Sequence, residues 1–592
     1  MLVTIRQKGR PDRTASGSEG QTVLSFLANQ GIYLDAPCSG HGKCGKCLVR
    51  LSGEVDSPGE SEKAALECRT QADTSDAGEL RLACRAKLTG KALIELQADA
   101  RFSSVKGLGE SEPYEVSPAL KKAVFRSPGR HHPQDLMSTH KIASASLEAL
   151  SQIAAIDAER RDCCGIMWHD ELLAALALDS PQADLPLLAA AVDLGTTGLA
   201  VALLDVTKGE VIAQETALNP QTACGGDVIS RITMASEGPE KLAHLQNLAL
   251  CGIGNLILEA AGPERIKSVK AVVISGNTTM LYLLAGIQPK GLAQSPYRPA
   301  FVRSLDISSL AERFGLTSGT KILTTPSISA YVGGDITSGM LAVGLKQRGG
   351  TVLYIDIGTN GEIVLSHDGK LVATSCAAGP ALEGMNIICG QRAIPGAVDS
   401  FFMGPDFNYR FTTIGEAEPT GICGSGLIDL AAELVKNGLL NSTGRLKAPQ
   451  EAADAPAWFA DLEEGRFKLT GKVFFDQKDV RQVQLAKGAI AAAVEMLLAR
   501  FGLSENGLDE IIIAGAFGFH LKAESLKTIG LIPNTYDGPV RFVGNSSLAG
   551  AARTLLTPNA IAELDALAAE TEVIELGFDP AFQEKFVRHL RF

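Results

Sequence analysis

A multidomain α/β protein is the fold class that this sequence predicts, and three observations carry the prediction. The chain has 592 residues, more than a single hydrophobic core normally organises. Near its start a Gly-, Ser- and Lys-rich loop, APCSGHGKCGKCLVRL at 36–51, gathers three cysteines. Far downstream a strand, an Asp-x-Gly-Thr turn and a second strand occur at Asp193 and again at Asp356, the mark of two similar halves. These features divide the chain into a β-rich domain at 1–97, a linker at 98–135, a small α/β middle domain at 136–187 and a large duplicated α/β domain at 188–592.

Composition narrows the function classes. With 45% hydrophobic and 21% charged residues the chain reads as soluble and globular, and no apolar run reaches the roughly 20 residues of a membrane span. The opening MLVTIRQKGR alternates like a strand and lacks the apolar stretch of a signal peptide, so the expected setting is the cytoplasm, with no membrane partner. A net charge of −12 without a stripe of Lys and Arg argues against nucleic acid. In a reducing compartment the 12 cysteines are expected as metal ligands or buried thiols rather than disulfides.

The first domain is organised by its cysteines. Cys38, Cys44 and Cys47 stand as C-x5-C-x2-C, and GELRLACRAKL adds Cys84. Four thiolates suit the soft iron of an Fe–S centre, and Gly40, Gly42 and Gly45 let backbone N–H groups turn toward the sulfurs. A structural zinc site usually carries two C-x2-C pairs, and only Cys44 and Cys47 make one. The flanks GQTVLSFLANQGIYLDAP, KCLVRLSGEV and ALIELQA read as a short helix and two strands. Their order resembles a β-grasp ferredoxin, and the spacing resembles the adrenodoxin-like variant, which implies a [2Fe–2S] cluster. Cys68 in ALECRT competes for the fourth ligand position, but Cys84 resembles the last ligand of ferredoxins. Adjacent Cys163 and Cys164 in RDCCGIMW are read as packing residues, because neighbours in a strand point opposite ways.

Between the two large parts, DARFSSVKGLGESEPYEVSPALKKAVFRSPGRHHPQD has the Pro, Gly, Ser and charge of a linker, with His131 and His132 solvated. Helical spacing of apolar residues follows in THKIASASLEALSQIAAI, and CGIMWHDELLAALALD supplies a second amphipathic element.

At LLAAAVDLGTTGLAVALLDV an apolar strand runs into Asp193 and returns as a second strand, with a phosphate pocket expected at the tip. Gly195 removes the Cβ that would obstruct backbone approach, Thr196 and Thr197 offer hydroxyls, and Asp193 can hold Mg²⁺ through water. TVLYIDIGTNGEIVLSHDGK repeats the device with Asp356, Gly358, Thr359 and Asn360. The pair resembles the two phosphate motifs of the actin, sugar kinase and heat-shock chaperone (ASKHA) superfamily, a duplicated ribonuclease H-like ATPase fold. PSISAYVGGDITSGMLAVGL and FVGNSSLAGAARTLL resemble its connecting helices, whose small residues allow close crossing and hinging. IIIAGAFGFHL resembles its adenosine loop, with Gly515, Ala516, Phe517 and Gly518 along the nucleotide.

Ferredoxin-like and ATPase-like parts on one chain resemble the ATP-dependent reductive activators of corrinoid proteins, over the whole length. NPQTACGGDVISRI, VISGNTTMLYLLAG, SPYRPAF, AAGPALEGMNI, PTGICGSGLIDL and VQLAKGAI look like that family in particular. TACGGDV departs from it, since the family usually has an aromatic residue near Cys224. The resemblance implies that one electron passes from the cluster to reduce Co(II) to Co(I) in a methyltransferase's corrinoid protein. ATP supplies the uphill part, about 2.3 kcal/mol per 100 mV for one electron. It also implies a low-potential electron donor, a homodimer and a swinging tether at 98–135. Cluster ligation falls to Cys38, Cys44, Cys47 and Cys84, and catalysis to Asp193, Asp335 and Asp356. Asp335 either orients the attacking water or caps its helix. Glu383 and Asn386 are assigned to ribose or phosphate, and Cys376, Cys389 and Cys423 to buried positions. The alternatives are a small-molecule kinase of the same fold with a fused ferredoxin, and an ATP-binding electron-transfer scaffold that does not hydrolyse. Activators of 2-hydroxyacyl-CoA dehydratases share the ATPase fold but hold a [4Fe–4S] cluster between subunits and lack the ferredoxin domain, so they fit less well.

Overall fold

The computed structural model describes residues 1–7, 11–32, 45–67, 78–96, 107–126, 135–448, 465–515 and 521–592, with single positions 34, 36, 40, 42, 451, 462 and 463 besides. Its N-terminal sheet runs in the order Arg13–Ser16, Leu2–Gln7, Leu88–Leu96, Leu48–Val55, Glu79–Leu82. Leu2–Gln7 and Leu88–Leu96 are parallel, and the other neighbours antiparallel. Thr22 caps helix Val23–Asn29 by accepting from the Ser25 N–H, and Val23, Phe26 and Leu27 bury against the sheet. This mixed sheet grasping one helix is the expected β-grasp. Arg81, fully buried, donates Nε and Nη2 to Glu62 at 2.9 and 3.0 Å. The same carboxylate accepts from the Leu82 N–H at 2.8 Å, so helix Glu60–Glu67 is fixed to the strand that leads into Cys84.

The middle sheet runs Leu120–Phe125, Cys163–Trp168, Glu171–Ala177, Ser144–Ala145, with helix Leu147–Ala158 packed on it. The second element expected of CGIMWHDELLAALALD is a hairpin. Every residue of Cys163–Trp168 is buried, so the run needs no polar face and extends as a strand, with His169 at positive φ in the turn. Burial raises the thiol pKa of both Cys163 and Cys164, the former to about 11, as suits packing residues.

The span expected as a linker is built differently from the expectation. Leu120–Phe125 pairs with Cys163–Trp168, and the stretch before it straps across the C-terminal half. The N–H groups of Glu110, Glu112 and Ser117 each donate at 2.8 Å, to the carbonyls of Val543, Ala342 and Leu556. The Glu112 carboxylate accepts from Arg348 and, at 3.0 Å, from Arg541. A stretch whose N–H groups and carboxylate are taken up in this way is part of the folded body, so 107–126 is not tether. His131 and His132 lie outside the described residues.

The two halves of the large domain share one topology. The first orders its strands Glu210–Leu218, Gly198–Asp205, Leu188–Leu194, Val269–Gly276, Lys321–Thr324. The second orders them Lys370–Cys376, Gly361–His367, Thr351–Ile357, Glu510–Ala514, Val540–Gly544, and adds Glu572–Val573 beyond Lys370–Cys376. In each, a three-strand antiparallel meander is extended by two strands parallel to its first. That is the duplicated ribonuclease H-like arrangement. Helix Gln477–Arg500 is long and apolar enough to cross a membrane, yet its most apolar window is 78% buried inside the second half.

Connecting helices Gly334–Ala342 and Ser546–Leu556 cross between the halves. A Cβ on Gly550 would overlap the Ser338 carbonyl oxygen, and one on Gly339 would overlap the Tyr354 hydroxyl. Alanine normally improves a helix over glycine by about 1 kcal/mol. Gly550→Ala is expected to do the opposite, destabilising by roughly 1–3 kcal/mol through overpacking. A thermal melt reads the sign directly, and a variant more stable than its parent would reject the close crossing.

Candidate functional site

At the cysteine loop, Cys47 directly precedes strand Leu48–Val55 and Cys84 follows its neighbour Glu79–Leu82. Leu48 pairs with Leu82, and the Ala83 N–H donates to the Cys47 carbonyl at 2.8 Å, so both cysteines come to one end of the sheet. Both are buried. Cys38, Cys44 and Cys68 lie outside the described residues. A Cβ on Gly40 would sit 3.8 Å from the Cys84 Cβ, which puts Gly40 against Cys84. Gly40, Gly42 and Gly45 all have positive φ, the conformation in which successive N–H groups form an anion-facing concavity. Paired buried thiols under such a loop fit a [2Fe–2S] cluster. Between Cys44 and Cys47, Lys46 Nζ reaches out of the domain, donating to the Gly384 carbonyl at 2.9 Å with Met385 Sδ at 3.3 Å.

The first hairpin tip lies between Leu188–Leu194 and Gly198–Asp205. The turn is tight, since a Cβ on Gly195 would stand 2.8 Å from the Gly198 carbonyl oxygen. Asp193 accepts from Asn545 Nδ2 at 2.9 Å and Ser547 Oγ at 2.8 Å, residues that open the second connecting helix. Thr196 Oγ1 accepts from Asn277 Nδ2 at 2.9 Å, and the Thr197 carbonyl accepts from the Asn219 N–H at 2.9 Å.

The second tip, Gly358–Asn360, joins Thr351–Ile357 to Gly361–His367 and closes by a Gly358 N–H donating to the Asn360 carbonyl at 3.0 Å. Thr359 Oγ1 donates to Glu383 at 3.5 Å, so Glu383 joins this tip. Asn386 is exposed, with φ of 60°. Gly515 has a φ of 117° and no room for a Cβ against the Ile357 carbonyl; Ala516, Phe517 and Gly518 lie outside the described residues. Cys376 and Cys423 are buried and Cys389 is half-buried.

Asp335 stands in the first turn of the first connecting helix, where Gly333 occupies the cap position. Its Oδ1 accepts from the adjacent Ile336 N–H at 2.9 Å, so it does not cap the helix. The acids of the cleft raise one another's pKa. Burial and then the charge of Asp193 push Asp335 up to about 7. Burial, then Asp335 and Asp193, push Asp356 up to about 8. Burial also raises Asp193 itself, against its bonds to Asn545 and Ser547.

A further acid, Glu362, belongs to the group. It lies directly across the hairpin from Asp356 and is buried. Burial, followed by Asp335 and Asp356, raises its pKa far above the ordinary value. The sequence signal was available, a lone Glu in the apolar strand GEIVLSH. Asn545 and Ser547 were equally visible in VGNSSLAG, read there only as a helix.

Comparisons with known proteins agree with this geometry. Residues 5–89 match the model of the 2Fe-2S iron-sulfur cluster binding domain, 188–348 that of the RACo middle region, and 350–592 that of the C-terminal domain of RACo, the ASKHA domain. The family's middle region is thus the first half of the duplicated domain. The corrinoid activation enzyme RamQ of Eubacterium limosum is 30% identical over 97% of both chains. The [Co(II) methylated amine-specific corrinoid protein] reductase of Methanosarcina barkeri is 26% identical over 62% of this chain and 69% of its own. A solved reductive activator for corrinoid,iron-sulfur protein covers 100% of this chain and 98% of its own, with a TM-score of 0.71 at 28% identity. With a ferredoxin-type domain, both halves of the ASKHA fold and a full-length relative at this identity, the chain belongs to the family of reductive activators of corrinoid proteins.

Proposed function

We propose that this protein reduces the corrinoid protein of a methyltransferase system in an ATP-dependent reaction, passing one electron so that Co(II) becomes Co(I). The observation that carries the reading is the union of a cysteine loop and a duplicated acidic cleft on one chain, along the full length of a relative named for corrinoid activation. A small-molecule kinase would use the cleft but has no need of the loop.

When bound, the [2Fe–2S] cluster supplies a single electron at low potential. Cys38, Cys44, Cys47 and Cys84 hold it, and Lys46 seats their loop on the C-terminal half beside Glu383. In the cleft, Asp193 and Asp356 would hold Mg²⁺ from opposite halves, because a divalent cation offsets the burial that raises both pKa values and the neighbouring charge that raises that of Asp356 further. Gly195 and Gly358 give the phosphates room, and Thr196, Thr197, Thr359 and Asn360 donate to them. Gly515, Ala516, Phe517 and Gly518 run along the adenosine, and Glu383 reaches ribose or phosphate. Asp335, whose pKa of about 7 leaves part of it ionised at neutral pH, orients the attacking water and, as the carboxylate, takes up its proton. The C-terminal domain grips the corrinoid protein, and ATP changes that grip. A low-potential donor reloads the cluster, the working unit is a homodimer, and its setting is the cytoplasm, whose reducing conditions keep thiols out of disulfides.

Linkage supplies the test. If ATP acts through partner affinity, the Co(II) corrinoid protein must shift the Kd of a non-hydrolysable ATP analogue by the same factor, roughly 5–150-fold for a typical coupling. Co(I) formation, followed by absorption, should require both a reduced cluster and hydrolysable ATP. Full Co(I) yield without nucleotide, from a donor no stronger than the cluster, would overturn the reading.

A further inference from the structure

The stretch NPQTACGGDVISRI is built against the back of the first phosphate loop. Asn219 Nδ2 donates to the Gly195 carbonyl at 2.8 Å, Arg231 Nη2 to the Thr196 carbonyl at 2.5 Å, and the Asn219 N–H to the Thr197 carbonyl at 2.9 Å. Three consecutive carbonyls are therefore drawn to one side. In a planar trans peptide the N–H points opposite to the carbonyl of the preceding residue. Pinning the Gly195 and Thr196 carbonyls thus turns the Thr196 and Thr197 N–H groups the other way, and among the described residues neither donates to a protein acceptor.

Arg231 is the unusual member. Its side chain is fully buried, and its remaining donors go to the Gly225 carbonyl at 2.9 Å, Gln221 Oε1 at 3.3 Å and Met280 Sδ at 3.0 Å. No carboxylate forms an ion pair with it among the described residues. Asp227, a carboxylate whose charge reaches it, is occupied capping helix Val228–Ser236 through the Ser230 N–H and hydroxyl. Burial accordingly lowers the guanidinium pKa to about 10, although it stays charged at neutral pH. A buried charge without a counter-ion is costly unless something of opposite sign completes it. The second loop is backed by acids, Glu362 and Glu383, whereas the first has a buried guanidinium behind it.

We propose that Arg231 is a positioning residue of the nucleotide site, which with Asn219 turns the first loop into an anion-binding nest and lends it the buried positive charge that favours the more highly phosphorylated nucleotide. This rests on the reading of the cleft as an ATP site. Arg231 does not touch the nucleotide. It acts through the Thr196 peptide, whose carbonyl it polarises in a low-dielectric setting where such charge is weakly screened.

The test is the ratio of ATP to AMP affinity, measured by calorimetry on the full chain with its cluster in place. Arg231→Gln should weaken ATP by roughly 10- to 100-fold, the range of a charge-assisted hydrogen bond, and leave AMP within about twofold, so that the ratio collapses. Should Arg231→Gln fail to fold, Arg231→Lys carries the measurement: it keeps the charge and loses the fork, so the ratio should fall part of the way. Equal losses for ATP and AMP, or an unchanged ratio, overturn the proposal. Failure of the parent protein to bind ATP defeats the nucleotide reading instead, so the two failures are separable.

Discussion

Asp356→Asn should lower ATP hydrolysis by roughly 10²- to 10⁴-fold, the contribution of a positioned charged or proton-transferring group, while the cluster's visible spectrum stays unchanged. Asp356 is a cleaner position than Asp193, which also anchors Asn545 and Ser547 of the second connecting helix. Among the described residues the Asp356 carboxylate accepts one side-chain hydrogen bond, from the Tyr354 hydroxyl at 3.5 Å, so asparagine removes the ionisable carboxylate and little else. The same variant should change how stability depends on pH. Asp356 has a folded pKa of about 8 against an ordinary 3.8. Between those values the folded state holds a proton that the unfolded chain has released, so this group makes stability fall as pH rises. Removing it should flatten the profile of Tm against pH across that window and raise Tm above pH 8. Unchanged hydrolysis would reject Asp356 as a site residue, and an unchanged Tm profile would reject the raised pKa that burial, and then Asp335 and Asp193, impose on it.

Cys84→Ala should abolish the [2Fe–2S] visible spectrum and, with it, all formation of Co(I), whereas Cys68→Ala should leave both largely intact. Cys84 lies buried beside Cys47 at one end of the sheet, with Gly40 of the cysteine loop packed on it. The loss of electron transfer is expected to be complete, because in the proposed reaction the electron leaves from the cluster that Cys84 holds. Nucleotide affinity should survive in both variants, since the cleft is formed by other domains. A Cys84→Ala protein that retains the spectrum, or a Cys68→Ala protein that loses it, would reassign the fourth ligand.

Much of this organisation was legible where chemistry is local in sequence. The cysteine loop announces itself by spacing and glycines within a dozen residues, and each phosphate tip by an Asp-x-Gly-Thr turn between apolar strands. The connecting helices were legible through their resemblance to those of the superfamily. Contacts made across the chain were not. Glu112 meets Arg541, 429 positions away, and Arg348, 236 positions away, so nothing near 107–126 distinguishes a folded strap from a linker of the same Pro- and Gly-rich composition. Arg231 lies 35 positions from the Thr196 carbonyl that it holds, and in sequence it is one more Arg on an amphipathic helix. Glu362 required knowing that it stands opposite Asp356 across the hairpin rather than on the solvent side. The alternative that Asp335 caps its helix failed by two residues, because Gly333 takes the cap and leaves Asp335 inside the first turn.

The seat of the cysteine loop on the C-terminal half has an unequal genetic basis. Lys46 supplies the donor from a side chain, but the acceptor is the main-chain carbonyl of Gly384, which every amino acid carries and no substitution deletes. Gly384 is itself hard to vary, since its φ is 74° and a Cβ there would press against the Gln391 carbonyl. Position 46 is therefore the dial by which point mutation can tune this contact. Related chains can drift in how firmly the loop is held without any matching change on the other surface, and a search for correlated pairs of substitutions would pass over this docking contact.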